Sequence, residues 1–364
     1  MKKKLLAAAL ATAFAAPAMA DNVQIYGAFD VGVLVRGGSD NGVTTGEGTS
    51  TQVASGMNGH NGIGFRMSED LGNGMKISGD AMFGFALDAA GGNLDASGAG
   101  GGFSTIYSYL ALSGDFGTVI AGRAGGARAG FIKKYDPFGG FGVGNSLAVM
   151  NNGADYADNV LAWVTPEVAP GLKFLGAYTT NLIGQDNQVR QTTSTPLYAV
   201  AALYSNGPLD VTVAYEKLFS YSLIEAGRNN HVQTIGASYD FGVVKVMGLW
   251  QHLTDLDTGW QVGLTAPMGE ATTLKVGYVD SELRGAGTGS AECRKFAVGV
   301  NHDLSKRTRL YADAAKISSD AGSACANAGG INTAGGNFSS SGAGRDNQVG
   351  YGEWGMNVGV RHTF

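Results

Sequence analysis

Long apolar runs, proline and cysteine are what this chain has little of. Beyond the first 20 residues no stretch of 18 or more is apolar, which excludes a bundle of transmembrane helices. Seven prolines in 364 residues leave strand ladders almost uninterrupted. Two cysteines cannot complete a zinc site, and the five histidines (His60, His231, His252, His302, His362) lie on different segments without ligand spacing. No metal and no cofactor is therefore expected. Amphipathic helical periodicity is scarce too, which argues against helical and doubly wound folds. With 25 Lys and Arg against 30 Asp and Glu, the acidic balance makes nucleic acid a poor partner.

What is abundant is glycine, at 59 residues without a G-X-Y period, which points to many turns and closely paired strands. The chain opens Met1-Lys2-Lys3-Lys4, runs through an apolar stretch to Pro17 and reaches Ala18-Met19-Ala20. A positive start, a short apolar run and an A-x-A site predict a secretory leader over residues 1–20, cleaved before Asp21. Loss of its three lysines takes the 25 basic residues to 22 against 30 acidic ones, a net charge of −8 for residues 21–364. Export also favours oxidised thiols, so Cys293 and Cys325 are expected to form a disulfide tying two neighbouring loops.

Apolar and polar residues alternate along most of the exported part. Val23, Ile25, Phe29, Val31, Val33 and Val35 share one parity, with Gln24, Asp30 and Arg36 on the other. The pattern returns from Met75 to Phe85, from Leu209 to Tyr215, and in Trp354, Met356, Val358, Val360, His362 and Phe364. Period two predicts strands with one greasy and one wettable face. The connections then choose between a soluble sandwich and a membrane barrel. Seven short turns, at 68–74, 113–117, 165–171, 205–209, 239–242, 267–271 and 303–307, alternate with eight longer polar connections. The longer ones run 37–58, 88–103, 124–156, 181–196, 218–231, 252–259, 282–293 and 318–348. Fifteen connections join sixteen strands, and short turns at one rim with long loops at the other describe an outer-membrane barrel. The predicted fold class is all-β, a 16-stranded antiparallel transmembrane β-barrel whose lumen is too wide for side chains to fill and so holds water.

One connection breaks the pattern. Between Arg123 and Asn159 stand small residues, a basic cluster (Arg128, Lys133, Lys134), the turn from Tyr135 to Gly140 and a neutral stretch from Asn145 to Asn152. No two-faced strand reads that way. The segment is expected to fold into the mouth of the barrel and to limit what passes. Parity sends Arg36, Arg66 and Lys76 towards the lumen, the last two close to the short-turn rim. The Gly139 to Gly144 run has the glycines of a phosphate loop but not its strand-to-helix context.

The stretches Arg66 to Met75, Leu112 to Gly117, Gly122-Arg123, Ser305 to Thr308 and Gly359 to Phe364, taken in order, resemble the general porins of Gram-negative bacteria, β-proteobacterial type. The resemblance implies a homotrimer in the outer membrane, among lipid and lipopolysaccharide, with a third extracellular loop folded into the lumen opposite a basic wall. That constriction loop is placed at 124–158. Arg123 becomes a pore-wall cation, Asp136, Asp155 and Asp158 the acidic side, and Arg128, Lys133 and Lys134 additional cations. Phe364 is implied to be read by the barrel-insertion machinery. Where the family commonly carries two further cations this chain has Gly62 and Ala162, which puts strong anion preference in doubt. The implied activity is passive diffusion of small hydrophilic solutes and ions, with no enzymatic step. A substrate-specific channel is the first alternative, although Phe131, Tyr135, Phe138 and Phe141 are few and clustered for an aromatic ladder. An outer-membrane barrel enzyme would need a nucleophile and base brought together, and an adhesin or lectin sandwich would be soluble without detergent.

Overall fold

A computed structural model describes residues 23–38, 48–88, 103–150, 155–182, 196–219, 231–254, 257–285, 289–319 and 354–364. The expected leader and Cys325 lie outside the described residues. Six strand segments come first: β1 (Gln24–Gly38), β2 (Gly48–Ser55), β3 (Gly62–Gly72), β4 (Met75–Gly84), β5 (Ser104–Gly114) and β6 (Gly117–Gly125). A helix, α1 (Ala127–Lys134), and a 3-10 turn at Ser146–Ala148 follow. Next are β7 (Tyr156–Val164), β8 (Leu172–Thr179), β9 (Leu197–Asn206), β10 (Leu209–Leu218), β11 (His231–Asp240) and β12 (Lys245–Leu253). The chain ends with β13 (Asp257–Met268), β14 (Thr272–Gly285), β15 (Gly289–Asp303), β16 (Thr308–Ser319) and β17 (Trp354–Thr363).

These seventeen segments make sixteen staves, because β2 and β3 both pair with β1 and form two halves of one stave. Pairing is antiparallel throughout, and β17 returns to β1 from Ala28↔Thr363 to Gly37↔Trp354. Reciprocal backbone bonds between Gly27 and Phe364, 3.1 and 3.0 Å long, extend the seam to the last residue. Closure follows from the surroundings: a bare N–H or C=O in hydrocarbon costs several kcal/mol, so no edge is left. Large apolar side chains are exposed on one parity, among them Ile25, Phe29, Val53, Leu161 and Val358, while Asp30, Thr212, Gln251 and Asn357 on the opposite parity are buried. Tight turns sit where glycine-rich pairs allow them. Asn73 and Gly74, at φ 53° and 75°, take the two left-handed positions that match the twist of a two-residue hairpin.

Three long connections are shorter than the sequence suggests. Residues 48–55, expected inside the 37–58 connection, form β2, and the 252–259 and 282–293 connections shrink to 254–256 and 286–288. Their polar composition hid them; ladder partners on β1, β12, β14 and β15 supply the pairing that composition alone does not. Between β2 and β3, residues 56–61 stand opposite only Phe29 and Asp30 of β1, an insertion in the wall. The insertion is tied down at Asp30, whose backbone N–H meets the Asn61 side chain and whose carboxylate accepts from Asn58 N–H and the Tyr311 hydroxyl.

The apolar core does not lie between two layers. Ile132, Tyr135, Phe138, Val143, Leu147 and Met150, from the connection between β6 and β7, pack on Leu34, Met57, Leu249, Tyr311 and Ile317 of the wall.

Candidate pore constriction

After Gly126 the chain turns through α1, where Ile132 and Ala129 are buried. The helix ends at Tyr135, whose N–H bonds back to Phe131 and Ile132 carbonyls at 3.3 and 3.2 Å. The next turn is organised by Asp136. Its carboxylate accepts the backbone N–H groups of Phe138, Gly140 and Ser146, each at 3.0 Å. Gly139 and Gly140 take φ of 63° and 82°, where a side chain would be strained. Burial holds the Asp136 carboxyl above the usual carboxylate range, opposed by the N–H donors of Ser146 and Phe138.

Polar anchors fix this segment to strands far away in sequence. The Tyr135 hydroxyl donates to Asp210 (2.6 Å) and lies 2.8 Å from the Thr212 hydroxyl, both on β10. Gln261 of β13 donates to the Ile132 carbonyl at 3.0 Å. Lys295 of β15 donates to the Val143 (3.3 Å) and Asn145 carbonyls. Asn357 of β17 accepts the Val143 N–H at 2.9 Å and donates to Asp313 at 3.1 Å, which pairs with Lys275 at 2.7 Å. Missing side chains matter as much. A Cβ on Gly236 would stand 2.3 Å from the Tyr135 ring, one on Gly263 2.2 Å from Pro137, and one on Gly299 2.9 Å from Phe138. These glycines share strand parity with the buried Ser238, Gln261 and Lys295, not with the exposed Ile235, Val262 and Phe296. The segment therefore rests on the wettable face of the sheet, from β10 round to β17.

Two ion pairs gather around Tyr156. Arg123 is set by a bulge at Gly122, where φ is 134° and a Cβ would meet the Ser108 carbonyl at 2.4 Å. Its Nε donates to the Thr105 and Ile106 carbonyls at 3.2 and 2.9 Å, its Nη1 bonds Asp158, and its guanidinium lies 5.8 Å from the Tyr156 ring. Lys133 pairs with Asp155 at 3.2 Å and stands 5.6 Å from the same ring. The Tyr156 hydroxyl is 3.0 Å from His60 Nε2, and the His60 ring meets Phe141 edge-on, so the 56–61 insertion touches the segment here.

Residues 7–322 match the family described as Gram-negative porin. The chain belongs to that family. The porin is 28% identical over 281 residues to outer membrane porin protein 32 of Delftia acidovorans, covering 71% of this chain and 73% of that one. It is 29% identical over 364 residues to an outer membrane porin protein of Bordetella pertussis, covering 86% and 93%. An anion-selective porin from Comamonas acidovorans superposes with a TM-score of 0.70 at 25% identity, over 94% of this chain and 99% of that one. The porin is thus an outer-membrane β-barrel and a passive diffusion channel for small hydrophilic solutes and ions.

The structure scatters the residues that sequence grouped. Arg123, Lys133, Asp155 and Asp158 come together. Arg128 and Lys134 face β10 instead, where Arg128 is buried against Glu216 and Lys134 pairs with Asp210 at 2.7 Å. Arg36 bonds Gln52 at 3.0 Å on β2. Arg66 pairs with Asp80 at 2.8 Å beside the Tyr26 ring, whose hydroxyl lies 2.8 Å from that of Tyr107, and the Tyr107 ring stands 6.0 Å from Tyr156, so this pair reaches the Tyr156 cluster through two tyrosines. Lys76 is exposed beside the Asn73-Gly74 turn. Asp136 differs most from expectation: it is buried and spends its oxygens on loop N–H groups, so it offers no charge to water. Phe364 closes the seam, its ring 5.6 Å from Phe29. Cys293 is buried and disulfide-bonded, while its expected partner lies outside the described residues. Sequence reasoning passed over Lys275, Lys295, Asp313 and Asn357. Each lies on the wettable parity of its strand with a glycine or alanine two positions away (Gly277, Ala297, Ala315, Gly355), which was the available signal.

Proposed function

We propose that residues 126–150 fold into the lumen and leave a waist flanked by the Arg123–Asp158 and Lys133–Asp155 pairs. The observation that carries this reading is the seating of Tyr135, Pro137 and Phe138 in glycine notches on strands whose greasy side chains point the other way. Opposed charges across a water-filled gap set up a transverse field that orients dipolar solutes and disfavours apolar ones, and the gap's width limits size. No energy source enters.

The charges also bear on selectivity. Arg66, Arg123, Arg128, Lys133 and Lys134 each have a carboxylate partner. At Gly62 the adjoining strand leaves no room for a side chain, with the Phe83 carbonyl 2.6 Å from a Cβ. The waist is therefore close to neutral, and the channel discriminates weakly between anions and cations, unlike the relative named anion-selective. Reversal potentials in a salt gradient test this: a value near zero agrees, and strong preference of either sign refutes it. The resemblance to general porins supports a homotrimer, for which crosslinking in native membranes is the direct measurement.

A further inference from the structure

The wall left uncovered by the loop is of the wrong kind for a simple aqueous pore. Water-filled barrels turn polar residues inward, and under the loop this one does so with Gln261, Lys275, Lys295 and Asn357. Between β7 and β9 the inward parity carries Asp158 and Thr179 at one end and Lys173 at the other, but between them it reads Val160, Ala162, Leu175, Ala177, Ala199 and Leu203, set by the register pairs Ala162↔Ala177 and Leu175↔Ala201. Facing them is α1, with Gly130 and Phe131. Together they bound a recess of about 500 Å³, within the roughly 300–1,000 Å³ usual for small-molecule sites. A Cβ on Gly125 or Gly130 would meet no atom within 4 Å, so the recess is open on the helix side too. The charged groups at its margin already have partners: Lys134 has Asp210, and Arg128 has Glu216. An ionic solute gains nothing there that it would not have to take from an existing pair.

We propose that this recess is a subsite for uncharged solutes that carry an aliphatic or aromatic body and a single polar end, held by burial of the body against β7–β9 while the polar end stays in the aqueous passage. The proposal rests on the lumenal placement of residues 126–150. It gives the channel a preference by class: amphipathic neutral solutes dwell in the waist, and equally large polyhydroxylated ones pass without pausing.

Single-channel recording of the purified full-length protein tests both layers. Cyclohexanol is the probe and myo-inositol the polyhydroxylated control of the same ring size. Cyclohexanol is expected to reduce the current saturably, inositol only in proportion to viscosity. Gly130→Leu, which narrows the recess from the helix side, and Ala162→Asn, which wets it, should each raise the half-blocking concentration roughly tenfold. Equal effects of the two solutes, or block unchanged in both variants, overturn the subsite. Gly130→Cys treated with a charged thiosulfonate separates the layers, since no described cysteine is free. A stepwise drop in current places residue 130 in the passage, so that absent block then counts against the subsite alone. No step refutes the lumenal loop, and the subsite with it.

Discussion

Removing Arg123 is the sharpest test of the proposed waist. The guanidinium and the Asp158 carboxylate each keep about a fifth of their surface exposed, 22% and 21%, so both can be felt by a passing ion. In Arg123→Ala the carboxylate loses its partner, and the waist gains one net negative charge. An ion passing about 5 Å away in water feels about 0.8 kcal/mol from one unit charge, and about 0.5 kcal/mol once 0.1 M salt screens it. Cations gain that amount and anions lose it, so the permeability ratio should move roughly fivefold towards cations. Asp158→Asn should move it by a similar factor towards anions, and the double variant should return near the wild type. The measurement is the reversal potential across a tenfold salt gradient in planar bilayers. Should Arg123→Ala leave both conductance and reversal potential where they were, the Arg123–Asp158 pair does not border the narrowest section.

Other consequences concern the loop's anchorage and the wall. Tyr135→Phe removes the hydroxyl bonded to Asp210 and should cost about 1 kcal/mol of anchorage, read as faster hydrogen exchange over 126–150 and more frequent brief closures; unchanged exchange speaks against the anchor. Gly236→Val puts a branched side chain where the Tyr135 ring lies and should dislodge the segment, with noisier and larger conductance. Val213→Arg places a charge on the lipid face and should cost about 2–4 kcal/mol if near mid-membrane, measured by urea unfolding from lipid vesicles. Ala162→Arg restores a cation to the wall and should raise anion preference, the reverse of Arg123→Ala in the same assay.

The barrel and its stave count were legible from local patterns. A strand announces its greasy face by period two, as in β1 and β17, and Asn73-Gly74 announces its turn, because each signal involves residues a few positions apart. The second stave was partly hidden, since β2 is rich in Thr and Ser and gains its ladder only from β1. The segment that refuses alternation, between Arg123 and Asn159, could likewise be marked from its composition.

Sequence by itself therefore settled that this chain is a sixteen-stave membrane barrel and which connection is unlike the rest. Only the tertiary structure decided where that connection comes to rest and how its charges are matched. Tyr135 finds Asp210 across 75 positions and Val143 finds Asn357 across 214, and such pairings depend on the closure of the sheet. For the same reason Asp136 reads in sequence as an acid for the pore, yet is consumed in space by N–H groups of its own turn, and alanines that look featureless along β7–β9 become a continuous apolar wall once the staves stand side by side.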